Sequence, residues 1–340
     1  MPEETRSSPE YLRAFTRYLK VGKANLAPDD LRVLSEGSDA DGAVLAPKMY
    51  LDRIAEVRQQ GLLGHVSRVE TGRSLSVPYF TIETTVKLLS ESPTLGSGSD
   101  YGLASGGDGS PFNLPNFGTS GSPDRRAFAP SKYGVYTKAT EELLADSEPD
   151  LAKFLAQQLA ISIYAMEASQ IVAGTGSGGQ FAGLAQNLVA ESRTFSAASS
   201  GSIAVGSGAA DNDLAEVLAL VDPAYIDRGA WIMHPRVYAK YVAGSPGAAH
   251  VLELNGQTVP SVYGRPAVLC AFMPSEPVSA SVSVIFGDLS QYLVAESKPG
   301  FTFTQADQTH IASGQIGIYA RTRLDGNVVQ PRAFAGLIHP

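Results

Sequence analysis

The segment from Ser147 to Gly174 constrains the chain most, because its apolar spacing fits only one kind of structure. Ser147 is a good N-cap residue, Pro149 stands in the first turn, where its missing N–H costs nothing, and Asp150 completes an acidic variant of the capping box. Leu151, Leu155, Leu159, Ile163 and Met166 then recur at helical spacing, Phe154, Ile161 and Val172 widen the stripe, and Gly174 and Gly176 close it. The spacing predicts a long, one-sided helix with Lys153, Gln157, Gln158, Glu167 and Gln170 on its wet face. With β-like sequence on both sides, the apolar face is expected to pack on a sheet.

Before this helix, Tyr11, Leu12, Phe15, Tyr18 and Leu19 mark a short amphipathic helix, and Tyr50 to Gln60 a second one ended by Gly61. Asp39-Ala40-Asp41-Gly42 lacks the spacing and closing glutamate of a calcium loop and reads as a turn. Leu75, Val77 and Tyr79, then Ile82, Thr84 and Val86, alternate with polar residues as strands do, and Tyr133, Val135 and Thr137 form the return run. Between them, residues 96–123 are crowded with Gly, Ser, Pro and Asn around Tyr101, Leu103, Phe112, Leu114 and Phe117. The expectation is a long hairpin with an extended tip. Such a tip is either a disordered insertion or an arm whose aromatic residues find burial on a neighbouring subunit.

Beyond the long helix come a glycine-rich turn, a Ser/Ala/Gly stretch from Ser192 to Ala210, and a helix capped by Asn212 with Leu214, Val217, Leu218 and Val221 inward. Ala230 to Met233 predicts a short buried strand, His234-Pro235 a helix start, and Val282 to Phe286 another strand. The last forty residues read as β-rich, with Phe301 to Thr304, Ile316 to Arg323, a turn at Asp325-Gly326-Asn327 and a strand ending in Ala333-Phe334. Helices and strands alternate without a βαβ period, so the class is α+β.

Little in the chain recommends an enzyme. Gly174-Thr175-Gly176-Ser177-Gly178-Gly179 has the letters of a dinucleotide fingerprint, but it closes a helix where that chemistry requires a loop that opens one. His65, His234, His250, His310 and His339 are scattered without metal-ligand spacing, no nucleophile elbow is present, and Glu141 and Glu142 suit a helix N-terminal half. Cys270, the single cysteine, sits in an apolar run and reads as a core residue. No catalytic residue, cofactor or metal ligand is therefore assigned. A net charge of −8 argues against a dedicated nucleic-acid reader, though not against a protein that encloses nucleic acid without gripping it. No apolar run approaches a bilayer span, and the polar N-terminus lacks a secretory signal, so a cytosol-like compartment is expected.

Four passages resemble the major capsid protein of tailed phages, with its Hong Kong 97-type fold. Glu141 to Ser147 with the helix and terminal Gly-Thr-Gly is similar to that family's spine helix; Trp231-Ile232-Met233-His234-Pro235 is similar to its strand-to-helix step. Phe286-Gly287-Asp288-Leu289-Ser290 with Tyr292, and Arg321 to Gly326 through Pro331, Ala333 and Phe334, are similar to its Phe-Gly-Asp turn and C-terminal strands. The resemblance implies an N-terminal arm at 1–64, an extended loop at 65–134, a peripheral domain at 135–174 and 296–332, an axial domain at 175–295, and a strand at 333–340 returning to the axial domain. It implies a shell subunit of the virion, made in the host cytoplasm, that forms hexamers and pentamers around double-stranded DNA without sequence-specific binding or any membrane. A separate scaffolding protein, a portal and decoration proteins would be its other partners. The residues implied at subunit contacts are Tyr101, Phe112, Phe117, Arg125, Arg126, Asp325 and Asn327. Some members join a loop lysine to an asparagine, with a glutamate accepting the proton. Here Lys87 is the only lysine between Lys48 and Lys132 and no glutamate follows Glu296, so no such cross-link is expected. An encapsulin-type cellular shell, or an enzyme or adhesin domain sharing only patterns, are the alternatives; closed particles would separate the two shell readings from a lone domain, and DNA or a cargo enzyme inside would separate the shells from each other.

Overall fold

The computed structural model describes residues 8–21, 26–35, 44–45, 52, 55–59, 61–72, 74–78, 125–140, 150–199, 201–205, 212–243, 249–254, 257–298, 300–306 and 315–340. Its strands are, in chain order, β1 (Val44–Leu45), β2 (Ser67–Thr71), β3 (Leu75–Pro78), β4 (Arg125–Phe128), β5 (Ser131–Thr140), β6 (Thr194–Ser196), β7 (Ala230–Met233) and β8 (Ala249–Leu254). There follow β9 (Gln257–Val262), β10 (Arg265–Leu269), β11 (Val282–Gly287), β12 (Tyr292–Ser297), β13 (Thr302–Ala306), β14 (Gln315–Val328) and β15 (Phe334–Ile338). The long helix spans Asp150–Ala173 and ends where Gly174 begins the turn. Its proposed cap, Ser147 to Pro149, lies outside the described residues, as does the acidic turn at 39–42.

Six strands form the first sheet, ordered β1-β13-β14-β12-β2, with β5 on the other side of β14. Alternation along β14 decides its two faces. Ala320, Thr322, Leu324, Gly326 and Val328 are buried, whereas Tyr319 and Arg323 are exposed. The buried face carries the long helix and the helix Pro9–Val21, through Tyr11, Ala14, Phe15, Tyr18, Leu159, Ala160, Ile163, Phe301 and Ala320. On the opposite face, among the described residues, Phe128 and Leu75 of the β3–β4 hairpin cover the β12 end by packing with Leu293 and Ala295.

The second sheet has seven strands, ordered β6-β15-β11-β7-β10-β9-β8. β7 is buried at every position, Trp231 lies 4.7 Å from the Phe286 ring, and its Nε1 donates to the Val262 carbonyl at 3.1 Å. One face packs with Leu214 and Val217 of the helix Asp213–Leu220, where the Asn212 side chain accepts from Ala215 N as expected. Through its other face, Ile232, Ile285 and Phe334 join Ala168, Ile171, Val294, Leu324 and Val328, so one core runs from sheet to sheet.

Five expectations change. Asp325, Gly326 and Asn327 lie in strand, not in a turn, because β14 continues to Val328 and pairs Asp325 with Ala295 and Asn327 with Leu293. The strand that returns to β3 is β4, with Leu75 opposite Phe128, whereas β5 pairs with β14 over its whole length. Glu167 is buried, since it stands four residues from both Ile163 and Ile171 on the inward line, and Ile161 is 55% exposed. The stretch from Ser192 contains β6, and Phe334 begins β15 after a short 3-10 turn at Pro331–Ala333. The helix Leu184–Ala190 and the β8–β9 hairpin had no clear sequence signal: the helix is two turns long, and the hairpin reads partly as turn residues.

Candidate functional site

Two clusters of polar contacts hold the root of the β3–β4 hairpin. In the first, the Glu167 carboxylate is wholly shielded on the core side of the long helix. Arg58, at a helical turn around residues 55–58, donates from Nε to Glu167 Oε1 at 3.0 Å and from Nη1 to Glu296 Oε2 at 3.0 Å. Arg68 on β2 donates from Nη2 to Glu167 Oε2 at 2.6 Å. The Arg58 guanidinium also lies 5.5 Å from the centroid of the Phe301 ring. Burial opposes the Arg58 charge, yet Glu167 and Glu296 outweigh it and hold its pKa above the ordinary value. Charges taken from water survive only when paired, and here two acids meet two arginines from four separate segments.

The second cluster surrounds Asp325. Its Oδ2 accepts from Ala129 N at 2.6 Å, just after β4, and its Oδ1 accepts from Gly326 N at 2.8 Å. Burial raises the Asp325 carboxyl above its usual value, against the pull of these two backbone donors. Tyr133 donates to the Gly179 carbonyl at 2.8 Å, and its ring meets Phe181 edge-on at 5.6 Å. Burial and then the Asp325 charge push the Tyr133 phenol up to about 12. Tyr292, fully buried, donates to the Ala182 carbonyl at 3.1 Å and is raised for the same reasons in the same order.

The glycine-rich turn closes this cluster. Gly176, Gly178 and Gly179 take φ of +69°, +63° and +82°, Gly176 N donates to the Phe181 carbonyl at 2.8 Å, and Ala182 N donates to the Gly326 carbonyl at 2.8 Å. The fingerprint-like letters thus build a helix stop docked on β14. Gly326 has no room for a side chain: a Cβ there would stand 2.6 Å from the Phe181 ring and 2.8 Å from the Tyr292 hydroxyl.

Of the contact residues named from sequence, Arg126 pairs with Glu191 beyond the helix Leu184–Ala190. Asn327 accepts from Val328 N at 2.8 Å through its Oδ1. The Arg125 backbone pairs with Pro78, while its side chain and Tyr101, Phe112 and Phe117 lie outside the described residues. Arg58, Arg68, Glu167 and Glu296 were missed as a group. The one local signal was a carboxylate at helical spacing between Ile163 and Ile171. Among the described residues no three His, Cys, Asp or Glu side chains could hold a metal ion, and no helix is long and apolar enough to cross a membrane. Every carboxylate in the two clusters already meets fixed donors. The arrangement suits a joint that sets how the hairpin leaves the body.

A family model described as the phage capsid family matches residues 118–337. No curated protein matches the sequence. Among solved structures, the chain is similar to the capsid of an empty GTA particle computed with C5 symmetry, with a TM-score of 0.56 and 19% identity over 82% of this chain and 90% of that one. The capsid of a native GTA particle gives a TM-score of 0.55 and 18% identity over 94% and 97% of the two chains. A structure from Microbacterium phage Oxtober96 gives 0.54 and 12% over 83% and 92%.

Proposed function

The chain belongs to the phage capsid family, and from that membership we propose that it is the major capsid protein of a tailed double-stranded DNA phage, with the Hong Kong 97-type fold. The family is structural, and the chain is a shell subunit, not an enzyme. Copies of it associate into the hexamers and pentamers of an icosahedral head. The observation that carries this reading is the family match over residues 118–337, which includes the long helix, the second sheet to within one residue, strands β5, β12, β13 and β14 of the first, and Glu167 and Glu296 of the joint.

In this reading residues 1–64 are the arm, 65–134 the extended loop, 135–174 and 296–332 the peripheral domain with the long helix as its spine, 175–295 the axial domain, and 333–340 the strand that returns to it. The joint supports the assignment. Arg58 of the arm bridges Glu167 of the spine and Glu296 of the peripheral strands, and Arg68 at the start of the loop meets the same Glu167 carboxylate. A loop fixed at its root and laid on the next subunit gains its burial from assembly. Tyr101, Phe112, Phe117 and Arg125 are the loop residues assigned to that contact, with Arg126, Asp325 and Asn327 at or near its root. The head encloses the genome without sequence-specific contacts, and assembly draws on a separate scaffolding protein, a portal and decoration proteins in the host cytoplasm. Negative-stain imaging of the purified protein tests the reading. Closed shells of uniform size are expected, and protein that stays monomeric under all assembly conditions would sink it.

A further inference from the structure

The helices Pro9–Val21 and Pro28–Ser35 lie as a pair against the long helix and the first sheet, tied to each other by Arg17 Nη1, which donates to Asp30 Oδ2 at 2.9 Å. Tyr11, Phe15, Tyr18 and Leu34 of the pair enter one buried cluster with Ile163 and Phe301. Helices of 13 and 8 residues are too short to persist alone in water, so the pair owes its order to this docking. Phe301 is where the cluster meets the joint. The Arg58 guanidinium lies 5.5 Å from the Phe301 ring centroid, and Val57, the residue before it, packs against the same cluster. One short helical turn therefore sends Val57 to the docked pair and Arg58 to Glu167 and Glu296. β1 adds a second tether just after Phe301, with Leu45 opposite Thr302 and Val44 opposite Phe303. The Arg58 side chain is 14% exposed and that of Glu167 not at all, so their attraction acts in a medium far less polar than water.

We propose that the N-terminal helix pair is a removable strap that keeps the joint dry, so that the root of the β3–β4 hairpin is held firmly only while the strap is docked. Lifting the strap bares one side of Phe301, lets water reach the Arg58 guanidinium and weakens its hold on Glu167. Arg68 shares that carboxylate, so β2 loses part of its anchor as well. Among the described residues none from β2 belongs to the cluster under the strap, and the two ends communicate through Phe301, Arg58 and Glu167. The relay runs both ways, because by linkage whatever loosens the root also favours release of the strap. In a shell subunit the strap thus governs how firmly the loop is aimed, a consequence that rests on the shell reading.

Hydrogen exchange on the full-length free subunit tests the relay, and shell formation does not enter, so its failure and that of the shell reading are separate results. Phe15→Asp with Tyr18→Asp places two unpaired carboxylates in the cluster and forces the strap off. Amides of Ser67–Thr71 should then exchange at least tenfold faster, while those of β7 and β11 in the second sheet keep the parental rate. Unchanged exchange in Ser67–Thr71, retained protection of Pro9–Val21, or equal acceleration in both sheets overturns the proposal. Adding the same two changes to an Arg58→Met chain, where the relay is already cut, should leave Ser67–Thr71 as Arg58→Met alone left them; a further tenfold acceleration would show a separate route and sink the relay. In the reverse direction, Glu167→Gln should speed exchange across Pro9–Val21 at least tenfold more than across β7 and β11. Equal factors there overturn the proposal, and this arm stands even where the strap variant fails to fold.

Discussion

Arg68 reaches Glu167 at 2.6 Å, and the carboxylate it meets has no solvent exposure at all. One bond thus joins β2, the strand just before the hairpin, to the C-terminal half of the long helix. Glu167→Gln should leave Arg58 and Arg68 underpaired in the interior, at a cost of about 3–5 kcal/mol. Urea unfolding of the subunit measures it. Replacing both partners, Glu167→Leu with Arg68→Met, should recover part of that loss, because no orphaned charge is left at the Arg68 side. A Glu167→Gln subunit as stable as the parent would show that water reaches the cluster.

Alkaline stability should follow Tyr133. Its folded pKa of about 12 lies above the ordinary value of 10.0, so the folded state holds the proton longer. Stability from this group is complete below pH 10.0 and is lost as pH rises toward 12. Tyr133→Phe should flatten that part of the curve, measured as the urea midpoint against pH. An unchanged slope would remove Tyr133 as its source.

The sign for Asp325 is the same and its window is acidic. Its folded carboxyl titrates above the ordinary 3.8, so its ionisation works against the fold as pH rises through that range. Asp325→Asn keeps an acceptor for one of the two backbone donors and removes the charge. Relative to the parent, the variant should therefore gain as pH rises from below 3.8, measured by thermal melts across the acidic range.

Gly326 and Gly178 should respond differently to alanine. At Gly326 the new methyl meets the Phe181 ring and the Tyr292 hydroxyl, and overpacking of this kind costs about 1–3 kcal/mol and loosens the joint. Gly178 has nothing within 4 Å of a Cβ, so only its φ of +63° opposes the change, at about 1–2 kcal/mol with no loss of packing. Near-ultraviolet dichroism of the buried aromatics should change in the first variant and not in the second.

Mature particles boiled in detergent should run as one band near 35.7 kDa. Lys87 is the only lysine between Lys48 and Lys132, and Asn327 has its Oδ1 bonded to Val328 N within β14. A ladder of multiples that disappears with Lys87→Arg would refute this.

The long helix, the buried strand at Trp231 and the helix capped by Asn212 could be read from sequence because periodicity and caps are local signals. Asp325-Gly326-Asn327 misled for a physical reason. Those residue types favour turns, but Gly326 is present because Phe181 and Tyr292 leave no room for a side chain, a condition set by residues far away in the chain. Glu167 shows the same limit. Its spacing places it inward, while the arginines that make this tolerable come from residues 58 and 68, roughly a hundred positions earlier.

The strand pairings also impose an order in time. β1 pairs with β13, β2 with β12, β5 with β14 and β6 with β15, so strands made early in synthesis find their partners only after residue 290 has left the ribosome. Neither sheet can be completed by a nascent chain. A half-made subunit therefore lacks both finished sheets, and copies cannot join into a lattice before residues 315–338 of each have emerged.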